Sequence, residues 1–354
     1  MKIAYLIDRE SLGGGCEYIR RKSDECRRRG GECRTFLSDA GECKPSAVDA
    51  WGADEIVVNH LKALLQLMGN PFRRPKGRVT FVVHGIHLRK YEWKMCEGGA
   101  AGIRALPLYW LRRGLESYLY HRCDRIVALT LTDRDDILRL YGRKLRVDVE
   151  PNTLDGWAAE AADSCPEGIE GPFKYLCIGR FDYQKGQDRW IKRIKNEELD
   201  NMAKSGTEGR GRPYRRGLRD WRWPVAVCYR ACRRGGDGTV TFACPSQTLP
   251  HNQELRMRNA GGRTLFVGDG PMLAECKWLA KGLGVEDLCV FAGAIPNADR
   301  YLKCAEIVVS PSRWEGMPYL MMKARALGCR ILATDCPGNR DVLAGYEKWE
   351  KLEL

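Results

Sequence analysis

The chain has 354 residues, 44% of them hydrophobic, which is enough for two domains of ordinary size and excludes a wholly disordered polypeptide. Its 59 lysines and arginines against 46 aspartates and glutamates leave a formal charge of +13, which admits phosphates, lipid headgroups or nucleic acid as partners without choosing among them. Residues 204–234 alone carry ten basic side chains and two acidic ones, +8 of that excess, so the remainder is close to balanced.

The first predicted element, KIAYLI, is a short apolar run of β-forming residues. Gly13, Gly14 and Gly15 follow, then a helix-like stretch over residues 16–29, a Gly30-Gly31 stop and a second run, CRTFL, which together make a βαβ unit. EIVVNH, RVTFVVHGIH, RIVALT and LRVDVEPN continue the pattern, and parallel strands buried on both faces read as continuous apolar runs of this kind. After the polar linker EAADSCPEGIEGP a second alternation begins, with strands KYLCIG, RTLFVG, LCVFAG, EIVVS and CRILAT and helices over residues 272–282 and 318–327. The expected fold class is α/β, with two doubly wound domains dividing near residue 165 and a cleft between them. Ligands of such sheets bind beyond the carboxyl ends of the strands.

Between about residues 195 and 262 the alternation fails: the segment is rich in glycine and arginine, and only VAVCY and TVTFAC resemble strands. It reads as an irregular basic insertion. Its Cys228, Cys232, Cys244 and His251 match no common zinc spacing and read as incidental. The sixteen cysteines are scattered from Cys16 to Cys336 without a CxxC pair, and MKIAYLID meets a charge at Asp8, so a reduced, cytosolic protein without a secretory leader is expected. No apolar run approaches the roughly 18 residues that span a bilayer, so any membrane contact is expected to be peripheral.

Three segments can carry chemistry. The Gly13–Gly15 loop lies between a strand and a helix, where backbone can approach an anion, although a bare glycine triplet also makes an ordinary tight turn. Arg180 and Lys185, in CIGRFDYQKG, stand just after a strand; the pair suits a diphosphate, or else is two solvated surface cations. In SPSRWEGMPYLMMKARALG a strand leads to Glu315 and Gly316 and then to a helix opening at Pro318 and closing at Gly328. The free amides at that helix start can hold phosphate or sugar oxygens, and Glu315 can accept hydroxyl hydrogens; the bland reading is a capped helix with an incidental acid.

This last stretch resembles the signature of retaining glycosyltransferases of family 4, with the two-domain GT-B architecture, in which an EG(F/M)P segment leads a helix with a second glutamate eight positions after the first. GGGCE, FVVHGIH, RIVALT, VEPNTLD, IGRFDYQKG, VGDGP and AEIVVSPSRWEGMP match that group in order. The resemblance implies two facing Rossmann-like domains. Residues 1–165 would form the acceptor side, and residues 166–354 the nucleotide-sugar-binding side, with the insertion at about 195–262 and a shortened end. It implies catalytic roles for His84, Arg180, Lys185 and Glu315. Gly14, Gly15, Gly293, the amides of Gly316, Met317, Tyr319 and Leu320, and position 323 would bind the donor. The implied donor is a nucleotide-diphosphate sugar. No resident cofactor or metal is expected, because Arg180 and Lys185 neutralise the leaving diphosphate.

The function so implied is retaining transfer of a hexose to a polysaccharide or glycolipid acceptor, in the cytoplasm at the inner face of the plasma membrane. Nucleic acid is not expected as a partner, for no recognised nucleic-acid motif is present. An epimerase on the same fold would carry different signature stations. A noncatalytic relative that binds an anionic polymer or a protein partner through the arginine-rich insertion is the reading from a different class.

Three departures accompany the resemblance: the insertion, the absence of the strand and closing helices that normally follow RDVLAGYEKWEKLEL, and lysine at 323, where the family's second glutamate accepts ribose hydroxyls. Lysine has donors only. On the sequence alone, Lys323→Glu is expected to tighten nucleotide-sugar binding. The basic helix with Arg20, Arg21, Lys22, Arg27, Arg28 and Arg29 either meets an anionic membrane or is a solvated face.

Overall fold

The apolar runs fold as parallel strands, and the segments between them as helices on both faces. A computed structural model describes residues 1–9, 14–155, 157, 165–204 and 262–354. The first sheet consists of β1 (Lys2–Ile7), β2 (Glu32–Leu37), β3 (Glu55–Val58), β4 (Arg78–Val83), β5 (Arg125–Ala128) and β6 (Val147–Val149), in the order β2-β1-β3-β4-β5-β6. The second consists of β7 (Phe173–Ile178), β8 (Thr264–Val267), β9 (Cys289–Phe291), β10 (Ala305–Ser310), β11 (Arg330–Ala333) and β12 (Trp349–Lys351), in the order β12-β11-β10-β7-β8-β9. Both sheets belong to one compact unit formed by residues 1–196 and 261–354.

The helices of the first half are α1 (Gly14–Arg28), α2 (Pro45–Trp51), α3 (Leu61–Met68), α4 (Arg89–Glu97), α5 (Gly99–Tyr120) and α6 (Leu131–Tyr141). Those of the second are α7 (Gln187–Lys204), α8 (Leu273–Gly282), α9 (Tyr319–Ala326) and α10 (Pro337–Leu343). Strand periodicity explains why both faces need cover. Ala4 and Leu6 of β1 join a core with Leu64 and Leu67 of α3, while Ile3, Tyr5 and Ile7 point the other way, into a core with Tyr18 and Ile19 of α1. The second sheet repeats the arrangement: Tyr175 and Cys177 face Trp190 and Ile191 of α7, and Leu176 joins Met321 and Ala324 of α9. These layers make the chain a doubly wound α/β protein with two Rossmann-like sheets.

Three expectations shift. Helix α7 runs to Lys204, so ten residues assigned to the irregular stretch continue a helix instead; KNEELDNMAK is made of helix-compatible residues without glycine or proline. The last stretch, read without an element, forms α10 and then β12, which pairs in parallel with β11 in the register Ile331↔Trp349. With only WEK for a strand, this charged sheet edge gives no apolar run to recognise. Pro318 caps α9, and Tyr319 is its first residue. Gly13, the arginine-rich stretch and its candidate thiols and histidine lie outside the described residues.

Candidate active site

Sheet order decides where a ligand can sit. In the second sheet β7 and β10 are neighbours from which the chain leaves in opposite directions, and such a switch point opens a crevice at their carboxyl ends. The loop after β7 brings Arg180 and Lys185 to it, and the loop after β10 brings Ser312, Arg313, Glu315 and Gly316. Lys185 Nζ lies 2.7 Å from Glu315 Oε1, and Ser312 Oγ donates to the same oxygen at 2.6 Å. Burial by itself would lower the Lys185 pKa, but the Glu315 carboxylate outweighs it and holds the value raised, so the ammonium stays charged. Gly186 permits the close approach of the two loops: a Cβ there would stand 2.3 Å from Pro311 O.

Arg180 is held differently. Its Nε donates to Asp182 Oδ2 at 2.7 Å, and 63% of the side chain remains exposed. Asp182 also accepts from the Lys185 backbone N–H at 2.9 Å, so one carboxylate shapes the loop that presents both cations. Behind them, buried Arg313 donates to both oxygens of Asp188 at 2.9 and 2.8 Å and lies 4.0 Å from the Tyr183 ring, while its carbonyl accepts from Trp93 Nε1 of α4 at 3.0 Å.

The two halves meet backbone to backbone at Gly316. A Cβ on this residue would stand 2.6 Å from His84 O, and one on Gly338 would stand 2.1 Å from Gly316 O. His84 therefore approaches the Glu315 loop through its main chain. Its ring packs edge-on against Tyr18 at 5.3 Å, and its Nε2 is shielded from solvent without a hydrogen-bond partner. Burial, helped by His60 and His87, lowers the pKa of His84 to about 3, which keeps the imidazole neutral.

Gly14 and Gly15 open α1 at the switch point of the first sheet. A Cβ on Gly14 would contact Tyr319 Cδ2 at 3.5 Å, and one on Gly15 would lie 3.2 Å from His60 Nε2. Opposite them, the amides of Met321 and Met322 return to Pro318 O, which leaves Tyr319 and Leu320 in a first turn whose amides have no partner inside the helix. Met317 is fixed by Asn152, whose Nδ2 donates to Met317 O at 2.9 Å. Gly293 stands apart, after the outer strand β9, and its carbonyl accepts from Gly268 N at 2.7 Å.

Lys323 does not extend toward a free phosphate position. Its Nζ lies 2.7 Å from Glu17 Oε1 of α1 and 3.0 Å from Asp299 Oδ2, with the Trp157 ring centroid 5.6 Å away. Only 9% of the side chain is exposed. A glutamate at this position would face two carboxylates, which removes the basis for expecting Lys323→Glu to tighten binding.

Sequence reasoning missed Glu17, Asp299 and His60. Glu17 stood inside the GGGCE stretch, and the reversed charge at 323 was itself a signal that a carboxylate lies opposite. His60 closes EIVVNH; its Nδ1 accepts from Asp8 N at 3.1 Å, which places the ring proton on Nε2. Burial lowers the pKa of His60, with Arg180 adding to the effect and Asp8 opposing it.

Residues 250–349, which include β8 to β11, Glu315 and α9, match the family described as glycosyl transferases group 1. Two solved structures share the architecture. WaaG, a glycosyltransferase involved in lipopolysaccharide biosynthesis, superposes with a TM-score of 0.62 at 13% identity, over 99% of this chain and 85% of that one. Anabaena Alr3699/HepE, in complex with UDP and glucose, gives 0.53 at 14% identity, over 96% and 82%. The chain has the GT-B fold, and its residues 250–349 are similar to the group 1 glycosyl transferases. Over 79 residues it is 29% identical to the Vi polysaccharide biosynthesis protein VipC/TviE of Salmonella typhi, a stretch that is 22% of this chain and 14% of that protein. The chain covers between 14% and 24% of the length of the curated relatives it matches. Within this GT-B protein, His84, Arg180 and Lys185 lie outside the family-matched stretch and join it only through the fold.

Proposed function

We propose that the protein is a retaining glycosyltransferase that moves a hexose from a nucleotide-diphosphate sugar to a polysaccharide or glycolipid acceptor. The observation that carries this reading is the Lys185–Ser312–Glu315 cluster at the switch point of the second sheet, with Arg180 at its exposed side. HepE, a protein of the same architecture, was solved with UDP and glucose, and VipC/TviE is named for polysaccharide biosynthesis.

As the bond from the anomeric carbon to the diphosphate oxygen breaks, the electron pair leaves with the oxygen. Arg180, Lys185 and the first-turn amides of Tyr319 and Leu320 stabilise the developing negative charge more than they stabilise the bound donor, which lowers the barrier. These cations take the role that a divalent metal would otherwise fill. The neutral His84 ring offers Nε2 to a sugar hydroxyl, and Glu315 Oε2, which accepts neither the Lys185 nor the Ser312 bond, accepts another. The acceptor oxygen bonds to the anomeric carbon on the face the diphosphate leaves, and its proton passes to the departing phosphate, giving retention.

Incubation with a panel of nucleotide sugars tests the reading. Slow release of nucleoside diphosphate from one donor is expected, and Arg180→Ala should reduce it at least about 100-fold. Folded protein that releases none from any donor, or an Arg180→Ala variant as active as the parent, would overturn it.

A further inference from the structure

His60 carries a hydrogen-bond donor that the protein itself does not use. It follows β3 and stands at the N-cap of α3, where a polar side chain ordinarily caps the helix, yet its own side chain makes no such bond. Asp8 caps α3 instead: its Oδ1 accepts from Ala63 N at 3.2 Å and from Ser38 Oγ at 3.0 Å. The His60 ring is turned back onto the Asp8 N–H, which occupies Nδ1 and leaves the ring proton on Nε2. No acceptor among the described residues meets that N–H, and unlike Nε2 of His84 it is not closed off from solvent.

The surroundings of Nε2 indicate what it meets. A Cβ on Gly15 would stand 3.2 Å from it, and a Cβ on neighbouring Gly14 would stand 3.5 Å from Tyr319 Cδ2, so the two glycines are flanked by His60 and by the first turn of α9. Asn59 Nδ2 fixes this turn by donating to Gly15 O at 3.2 Å. Burial lowers the His60 pKa against the opposing charges of Asp8 and Asp39, and Arg180 of the other half is near enough to add to the effect, which keeps the ring neutral. The groups gathered here are the N-terminal ends of α1 and α9, the Arg180 guanidinium and the His60 N–H, all of them donors or centres of positive charge, which suits phosphate oxygens. A donor aimed at an attacking hydroxyl would compete for the lone pair that forms the new bond. Aimed at a leaving phosphate, it shares the growing negative charge.

We propose that His60 is a diphosphate-binding residue contributed by the first half, its Nε2–H donating to a phosphate oxygen that Arg180 also meets. The proposal rests on the reading of the donor as a nucleotide-diphosphate sugar. It gives the first half a direct hold on a leaving group whose other contacts, Arg180, Lys185 and the α9 amides, come from the second.

Two substitutions separate this role from a merely structural one. In His60→Asn the amide oxygen takes the place of Nδ1 and still accepts from Asp8 N, but nothing reaches the position of Nε2. In His60→Gln an amide N–H reaches that position and the bond to Asp8 is lost. Calorimetry of the full chain with uridine, cytidine, guanosine, adenosine and thymidine diphosphates, without sugar or acceptor, should show binding of at least one. His60→Asn should bind it at least about tenfold more weakly while keeping its melting temperature, and His60→Gln should stay within about threefold of the parent even where it melts lower. Three results would overturn the proposal: His60→Asn binding as the parent does, His60→Gln binding no more tightly than His60→Asn, or a parent that binds none of these nucleotides. A parent that binds a nucleoside diphosphate through His60 but releases none from any nucleotide sugar breaks the transferase reading alone. A parent that hydrolyses a donor while His60→Asn binds undiminished breaks this proposal alone.

Discussion

Lys185 and Lys323 both sit in the cleft against carboxylates, yet they answer to different parts of the molecule. Lys185 and its partner Glu315 belong to the same half, on the loops after β7 and β10, so the pair does not depend on the other half. Lys323 is shared between Asp299 of its own half and Glu17 of the other, so its full set of partners exists only while the halves are together. In the reaction proposed above, the first pair presents its cation to the donor phosphates. The second ties one half of the molecule to the other.

The largest effect should separate these roles outright. On the proposed function, Lys185→Ala is expected to lower kcat/KM for donor hydrolysis by roughly 100- to 1000-fold, because it would remove a charge that meets the leaving diphosphate. Its melting temperature should also fall, since Glu315 is left buried with only the Ser312 bond. Lys323→Met should likewise lower the melting temperature, because it leaves Glu17 and Asp299 facing each other, but with a much smaller loss of rate. Equal losses of rate in the two variants would erase the distinction.

Charge reversal sharpens it. Lys323→Glu restores the residue type that the resemblance calls for, but places a third carboxylate among Glu17 and Asp299, at a cost of about 3 kcal/mol in unfolding free energy. Adding Glu17→Lys should recover more than about half of that loss, since it returns an ion pair across the same gap. Denaturant titrations of the two single variants and the double variant give the coupling directly. A coupling near zero would mean that Glu17 is a bystander.

The same contrast explains what the sequence could and could not disclose. Lys185 and Glu315 each lie beside a strand end within a motif, so local pattern alone is enough to place them. The strands of both sheets are equally visible, because burial on two faces demands unbroken apolar runs such as EIVV and RVTFVV. Glu17 and Asp299 become partners of Lys323 only through the apposition of α1, α9 and a short 3₁₀ turn over Ala298–Tyr301. No spacing along the chain encodes that apposition. His84 was legible as a residue, but its contribution to the meeting of the halves is a carbonyl against Gly316, which side-chain reasoning does not reach. The edge strand β12 escaped for a third reason: a charged three-residue strand has no apolar signature at all.

Asp133, in the first turn of α6, supplies the case that both lysines avoid, a buried charge without a partner. It is 1% exposed, and neither carboxylate oxygen has a hydrogen-bond partner, although its backbone N–H donates to Thr130 Oγ1 at 3.1 Å. Burial pushes its pKa up to about 7; Arg89 opposes the shift, and Asp136 and Asp341 add to it. The folded value lies above the unfolded value of about 3.9, so folding takes up a proton, and stability falls as the pH rises from about 4 to about 7, then levels off. Asp133→Asn should therefore raise unfolding free energy by roughly 4 kcal/mol at pH 8 relative to its effect at pH 4. Urea titrations at the two values check it. An effect of Asp133→Asn that is the same at both would mean that the carboxylate is ionised and compensated throughout, as the partners of Lys185 and Lys323 are.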